Sequence, residues 1–243
     1  MASGLLKHTP LAANRTIMSH FITFEGPEGS GKSTQARLLY EQLGARGEPV
    51  ILVREPGGTR ISDMIRRIVL DLHNTEMVPM TEILLFSAAR AQLVNEVIRP
   101  YLDHDGIVLC DRYADSTYAY QGFGLGRDLG ELRTLTAMAT GGLQPDLTIY
   151  LDLSAEEGLE RKARARARTR SAVPVASMLP DGRTGPPVEW NRLDARELAF
   201  HQRVEQGYRA LIAAAPTRWR SFDARQAVDG LAAQIADTVI AAL

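Results

Sequence analysis

The stretch Gly26-Pro27-Glu28-Gly29-Ser30-Gly31-Lys32-Ser33 constrains this chain more than any other feature, because it fits Gly-x-x-x-x-Gly-Lys-Ser/Thr. The apolar run Phe21–Glu25 precedes it, and an apolar-periodic segment with Ala36, Leu38, Leu39 and Leu43 follows. Glycines let the backbone curl until successive N–H groups converge on phosphate oxygens, and the helix start adds partial positive charge. Strand, loop and helix in that order predict an α/β sheet with a nucleoside triphosphate at the end of its first strand. Gly26, Pro27, Glu28, Gly29, Ser30, Gly31, Lys32, Ser33 and Thr34 are therefore the candidate nucleoside triphosphate site. Lys32 is expected to reach the β- and γ-phosphates from an open cleft, and Ser33 to ligate Mg²⁺. The motif by itself does not say kinase.

The remaining apolar segments extend the pattern. Val50–Arg54, Ile107–Asp111, Leu147–Leu153 and Trp219–Phe222 are short and mostly apolar on both faces, as strands between two helix layers must be. Helical stretches are expected around 32–46, 59–71, 80–103, 128–140, 155–169, 193–214 and 225–242. This alternation predicts a five-stranded parallel sheet flanked by helices. Ser154 followed by Glu157 is a capping-box pattern opening the 155–169 helix. Residues 171–187 break the rhythm with Pro174, Pro180, Pro186, Pro187, Gly182 and Gly185, and read as a flexible lid loop. The expected organisation is a leader over 1–20, with Met1–Ile17 either dispensable or the product of a misassigned start, and one domain over 21–243 with its lid at about 160–193.

Charge narrows the ligand class. The net charge is −1, yet residues 161–220 carry 13 Lys/Arg against 5 Asp/Glu. A basic patch on a neutral protein predicts a local anionic ligand, and without an aromatic stripe it does not make a nucleic-acid platform. No segment has the roughly 18 uninterrupted apolar residues of a membrane span. The single cysteine, Cys110, fits a reducing, cytoplasmic setting.

Two further strands end in chemistry. Arg54-Glu55-Pro56-Gly57-Gly58-Thr59 closes the second, and Asp111-Arg112-Tyr113 the third. Ligands of such sheets lie outside the carboxyl ends of the strands. Arg54 and Arg112 can there clamp a phosphate, or simply pair with Glu55 and Asp111; Asp111 can hold magnesium directly or through water.

These segments, with Leu84-Leu85-Phe86-Ser87-Ala88-Ala89-Arg90 and Ser116-Thr117-Tyr118-Ala119-Tyr120-Gln121-Gly122, resemble the thymidylate kinase family from Phe21 to the C-terminus. The resemblance implies a P-loop nucleoside monophosphate kinase fold, transfer of the γ-phosphate of ATP to dTMP, Mg²⁺, and a homodimer. It implies that Phe86 stacks on thymine and Arg90 hydrogen-bonds it. A guanidinium only donates, which suits thymine O4 and opposes the cytosine N4 amino group. Tyr120 and Gln121 would line sugar and base, with Ser116 beside them. Arg54 and Arg112 would hold the acceptor phosphate, with Glu28 near that phosphate and the metal. The implied metal set is Ser33, Glu28 and Asp111. A kinase of another nucleoside monophosphate, and a P-loop ATPase or switch, are the competing readings.

One branch of the family carries an arginine in the phosphate loop where this chain has Gly29. The resemblance then points to the bacterial branch, whose lid arginines act on the transferred phosphoryl group. Arg161, Lys162, Arg164, Arg166, Arg168 and Arg170 supply the cations, with Arg164 and Arg168 joining Lys32, Arg112 and Glu28 as expected catalytic residues. No acid lies within 161–170 to neutralise them. Asn191-Arg192-Leu193-Asp194 is similar to the family's returning lid segment.

Overall fold

The computed structural model describes residues 19–171 and 190–243, without the side chains of 168–171. The leader, most of the 171–187 loop and the side chain of Arg168 therefore lie outside the described residues. Five strands, β1 (His20–Glu25), β2 (Val50–Arg54), β3 (Ile107–Asp111), β4 (Leu147–Asp152) and β5 (Trp219–Asp223), form one parallel sheet in the order β2-β3-β1-β4-β5. The apolar, two-faced strands read from the sequence account for this, since helices cover both sides.

One face is covered by α1 (Lys32–Ala45) and α8 (Val228–Ile240). Leu39, Leu43, Ile235 and Val239 pack there on Phe24, Leu109 and Ile149. On the other side α2 (Arg60–Leu70) packs on α3 (Pro79–Leu93), α4 (Ala114–Thr117) leads into the segment that α7 (Leu198–Ala214) covers, α5 (Leu129–Thr140) also meets α3, and α6 (Ala155–Ser171) meets α7. Leu93, Val94 and Ile98 meet Phe21, Val108 and Cys110 on that side, and Tyr208 and Phe200 meet Tyr150 and Trp219.

Three stretches depart from the sequence reading. α3 does not run evenly to residue 103: it passes through a π turn at Val94–Ile98 before a last turn at Arg99–Leu102. Residues 114–124, read only as a motif, are helical, with α4 widening into a π segment Tyr118–Gly124. Tertiary packing selects this, because a Cβ at Gly124 would lie 2.5 Å from Phe200 and one at Gly207 would lie 2.8 Å from Phe123. Finally, α7 begins at Leu198 rather than 193. Asn191 Oδ1 accepts from the N–H of Leu193 (2.9 Å), and Asp194 Oδ2 from that of Asn191 (2.7 Å). Such side-chain bonds hold a turn where a helix would need those N–H groups itself.

Candidate active site

The carboxyl ends of β1, β2 and β3 converge at the phosphate loop. Gly26, Gly29 and Gly31 all have positive φ, which lets the loop curl after β1. Lys32 is not in an open cleft. It is 6 % exposed, and its Nζ donates to Pro27 O at 2.6 Å and Ser30 Oγ at 3.2 Å. Burial and the neighbouring Arg112 push its ammonium down to about 7, against the opposing pull of Glu28 and Asp111.

A base depressed in this way is mostly neutral at pH 8, and nucleotide phosphates would restore its charge. We expect ATP binding at pH 8 to take up close to one proton, and at pH 6 little. Titration calorimetry in two buffers of different ionisation enthalpy measures this, and equal heats in both would sink it.

Ser33 Oγ donates to Asp111 Oδ2, so two hard oxygen donors meet directly below the loop. That donor set fits Mg²⁺, which favours one or two protein oxygens plus phosphates. Among the described residues no group of three acidic, His or Cys side chains could hold a metal alone. Glu28, the third expected ligand, is occupied otherwise.

Arg112 follows β3 with φ +72, a left-handed conformation that costs a non-glycine residue about 1–3 kcal/mol. The turn brings its guanidinium under the loop. Nη2 donates to Glu28 Oε1 (2.7 Å) and Tyr120 Oη (3.1 Å), and Nη1 to Ser116 Oγ (3.1 Å), Tyr208 Oη (3.3 Å) and Gly26 O (3.3 Å). Burial alone would raise the carboxyl of Glu28, but Arg112, Lys162 and Lys32 together hold it well below the usual range. Beneath them Glu25, the last residue of β1, accepts from Tyr113 N, Ser116 Oγ and Tyr208 Oη at 2.6–2.8 Å. Burial, reinforced by Asp115, raises the pKa of this carboxyl.

Arg54 is separate from this cluster. It is half-exposed and faces Asp63 at 3.6 Å, so it pairs neither with Glu55 nor with Arg112. Glu55 instead holds Arg90.

Arg90, 2 % exposed, donates Nε to Glu55 Oε2 at 2.7 Å and Nη2 to Thr117 Oγ1 at 2.9 Å and Tyr113 O at 3.2 Å, while its buried Nη1 has no partner. Burial lifts the Glu55 carboxyl to about 7, although Arg90 opposes the shift. Breaking one side of such a buried pair typically costs about 3–5 kcal/mol. We therefore expect Arg90→Gln to lower stability by that amount, read as a shift in urea midpoint, with a drop under 1 kcal/mol arguing against the pair. Phe86, one turn earlier, is partly buried against Val69, Leu70 and Leu193.

The basic helix meets the loop through glycines. A Cβ on Gly29 would lie 2.1 Å from Gly158 O, and a Cβ on Gly158 2.1 Å from Glu28 O. Any side chain at either position would drive α6 off the loop, so an arginine has no room at Gly29. We expect Gly158→Ala to keep the fold and lose most activity; a normal kcat would show that this contact is dispensable.

Four residues after Gly158, on the same helix face, Lys162 donates to Glu28 Oε2 (3.1 Å) and to Asp194 Oδ1 (2.6 Å). The Asp194 carboxyl is raised to about 6 by burial and by Glu28, against Lys162. The three arginines of α6 whose side chains are described point elsewhere. Arg161 donates to Ala224 O (2.9 Å), Arg166 stacks 5.4 Å from the Trp190 ring centroid, and the exposed Arg164 pairs with Glu160, just before the acid-free run. The structure thus brings Lys162, not Arg164, to the phosphate loop.

Gln121 is buried, and its Nε2 donates to Glu82 Oε1 at 2.8 Å. Sequence reasoning missed Glu25, Glu55, Glu82, Thr117 and Tyr208. Only the strand-terminal acid Glu25 carried a signal, being a charge at the end of an apolar strand.

Comparison with known proteins agrees with this geometry. A family model described as thymidylate kinase matches residues 24–174. A thymidylate kinase of Roseiflexus castenholzii is 72 % identical over 222 residues, covering 91 % of this chain and 93 % of the relative. One of Nitratidesulfovibrio vulgaris is 48 % identical over 86 % of this chain and 90 % of its own length. A crystal structure of thymidylate kinase from Ehrlichia chaffeensis superposes with a TM-score of 0.67 at 27 % identity, covering 91 % of this chain and 99 % of that one.

Proposed function

The chain belongs to the thymidylate kinase family, and from that premise we propose that it transfers the γ-phosphoryl group of ATP to dTMP, giving ADP and dTDP. A 5′-phosphate oxygen of dTMP attacks the γ-phosphorus, and the bond to the β–γ bridging oxygen breaks. The reading is supported by the contact of Arg112 with the phosphate loop through Glu28, and by a buried Arg90 that keeps Nη1 unpartnered. That N–H is suited to thymine O4, and Phe86 offers a ring face one helical turn away.

Each remaining role follows from a contact. Lys32 and the loop N–H groups hold the β- and γ-phosphates. Arg112, kept in line by Glu28, Tyr120 and Ser116, receives the acceptor phosphate, with Arg54 at the rim. Lys162 lies closest to the loop among the described lid cations and faces the transferred group; the role expected of Arg164 would need a different turn of α6. Ser33 and Asp111 would hold Mg²⁺, which would neutralise charge on the phosphates.

Release of ADP with each nucleoside monophosphate in turn tests the reading. We expect turnover with dTMP far above that with dCMP, dGMP or AMP. Equal rates would favour a broader monophosphate kinase, and acceptor-independent release an ATPase.

We also infer a homodimer. Ile61, Met64 and Ile68 form an exposed stripe on α2, beside exposed Val78, Met80 and Leu84 at the start of α3. Apolar surface of this kind on adjacent helices favours self-association. Ile68→Glu should halve the sedimenting mass; an unchanged mass would put the dimer elsewhere. No described helix is long and apolar enough to cross a membrane, and the buried lone cysteine is consistent with the cytoplasm.

A further inference from the structure

Glu82 lies on α3 one turn before Phe86, which lies one turn before Arg90. Two bridges link this face to the facing segment: Arg90 to Thr117, and Glu82 to Gln121. Phe86 stands between the two bridges on α3. Glu82 is fully buried, and no role assigned above uses it. Its Oε1 accepts from Gln121 Nε2 at 2.8 Å, and its Oε2 accepts from Arg192 Nη2 at 2.5 Å and Arg196 Nη2 at 2.6 Å.

We propose that Glu82 is a positioning residue for base selection: anchored by its ion pairs with Arg192 and Arg196, it fixes the orientation of the Gln121 amide. A carboxylate has only acceptors, so the edge of the amide facing it must be the NH₂. The amide oxygen is thereby turned away from Glu82, and it accepts from no described residue. With Arg90 offering only donors, the cleft then presents one donor and one acceptor. Thymine matches this with O4 and its N3–H. Cytosine reverses both, with an amino group at C4 and a bare N3. The two arginines come from the segment returning from the lid, so base selection draws on residues far apart in the sequence. This inference rests on dTMP being the acceptor, as argued above.

The test compares kcat/KM for dTMP, dCMP and dUMP in the native chain, Glu82→Gln, Gln121→Met and the double variant. A glutamine at 82 can offer either oxygen or nitrogen, so the amide of Gln121 is no longer forced. The dTMP/dCMP ratio should fall about tenfold in each single variant, the low end of discrimination by one polar base contact. The double variant should fall no further, because Glu82 acts only through Gln121. The dTMP/dUMP ratio should hold throughout, since the two bases share the edge being read; a merely loosened pocket would move it.

An unchanged dTMP/dCMP ratio in Glu82→Gln, or losses that multiply in the double variant, would overturn the proposal. Should Glu82→Gln fail to fold, Gln121→Met decides: an undiminished ratio there overturns it, and a tenfold loss supports it. Failure of the native chain to phosphorylate dTMP would instead bring down the functional reading, and this inference with it.

Discussion

Replacing Lys32 by Met is expected to lower kcat by about 10²–10³-fold, the scale of losing one donor aimed at charge that develops in the transition state. Met fills the same buried volume, so the loop keeps its shape. Stability should not suffer, because burial works against the Lys32 charge and pushes its pKa to about 7. Only the bonds to Pro27 O and Ser30 Oγ are lost. ADP release under saturating substrates measures the effect, and a thermal melt checks the fold. A near-normal kcat in a folded variant would end the P-loop kinase reading.

Lys162→Met carries the second large effect. Lys162 is the lid-helix cation that meets Glu28, and its removal leaves Glu28 and the raised Asp194 without their shared cation. Asp194, at about 6, can take up a proton to relieve this, so the fold should survive. We expect kcat to fall about 10²-fold while KM for dTMP changes little, because Arg112, Phe86 and Arg90 remain. Arg164→Ala should stay within about twofold, as expected of an exposed i,i+4 pair. The reverse pattern, a loss with Arg164→Ala and none with Lys162→Met, would mean that α6 turns on binding ATP.

The contrast between these two residues shows what the sequence could carry. The phosphate loop, the parallel sheet and the strand-end position of Arg112 were all legible, because each depends on local pattern: glycine spacing, apolar runs, and the rule that ligands meet strand ends. Which cation of α6 faces the loop was not. That depends on helical phase, and the phase is set by Gly158 meeting Gly29, a contact across 129 positions that no spacing announces. That Arg54 faces Asp63 on the next helix was hidden for a similar reason, since the pair depends on how α2 packs after the loop. The buried acid Glu55 was weighed only as a partner for its neighbour Arg54, and Glu82 gave no signal, because their actual partners Arg90, Gln121, Arg192 and Arg196 come from other elements. Residues 114–124 carried a motif but no helical signal, because their helix rests on glycines that admit Phe200 and Leu129 from distant segments.

The order β2-β3-β1-β4-β5 also has a consequence for biogenesis. β1 pairs only with β3 and β4, and β2 only with β3, so Val50 and His20 both wait for Ile107 to find a partner. A nascent chain emerging from the ribosome therefore holds its first two strands, both apolar, with open edges until more than a hundred residues have been made. Such edges are sticky, and non-local parallel pairing is slow. During that interval the phosphate loop has no sheet to hold it and cannot compete for ATP. The cell's nucleotide pool can begin to stabilise this protein only after β3 has threaded between its two predecessors.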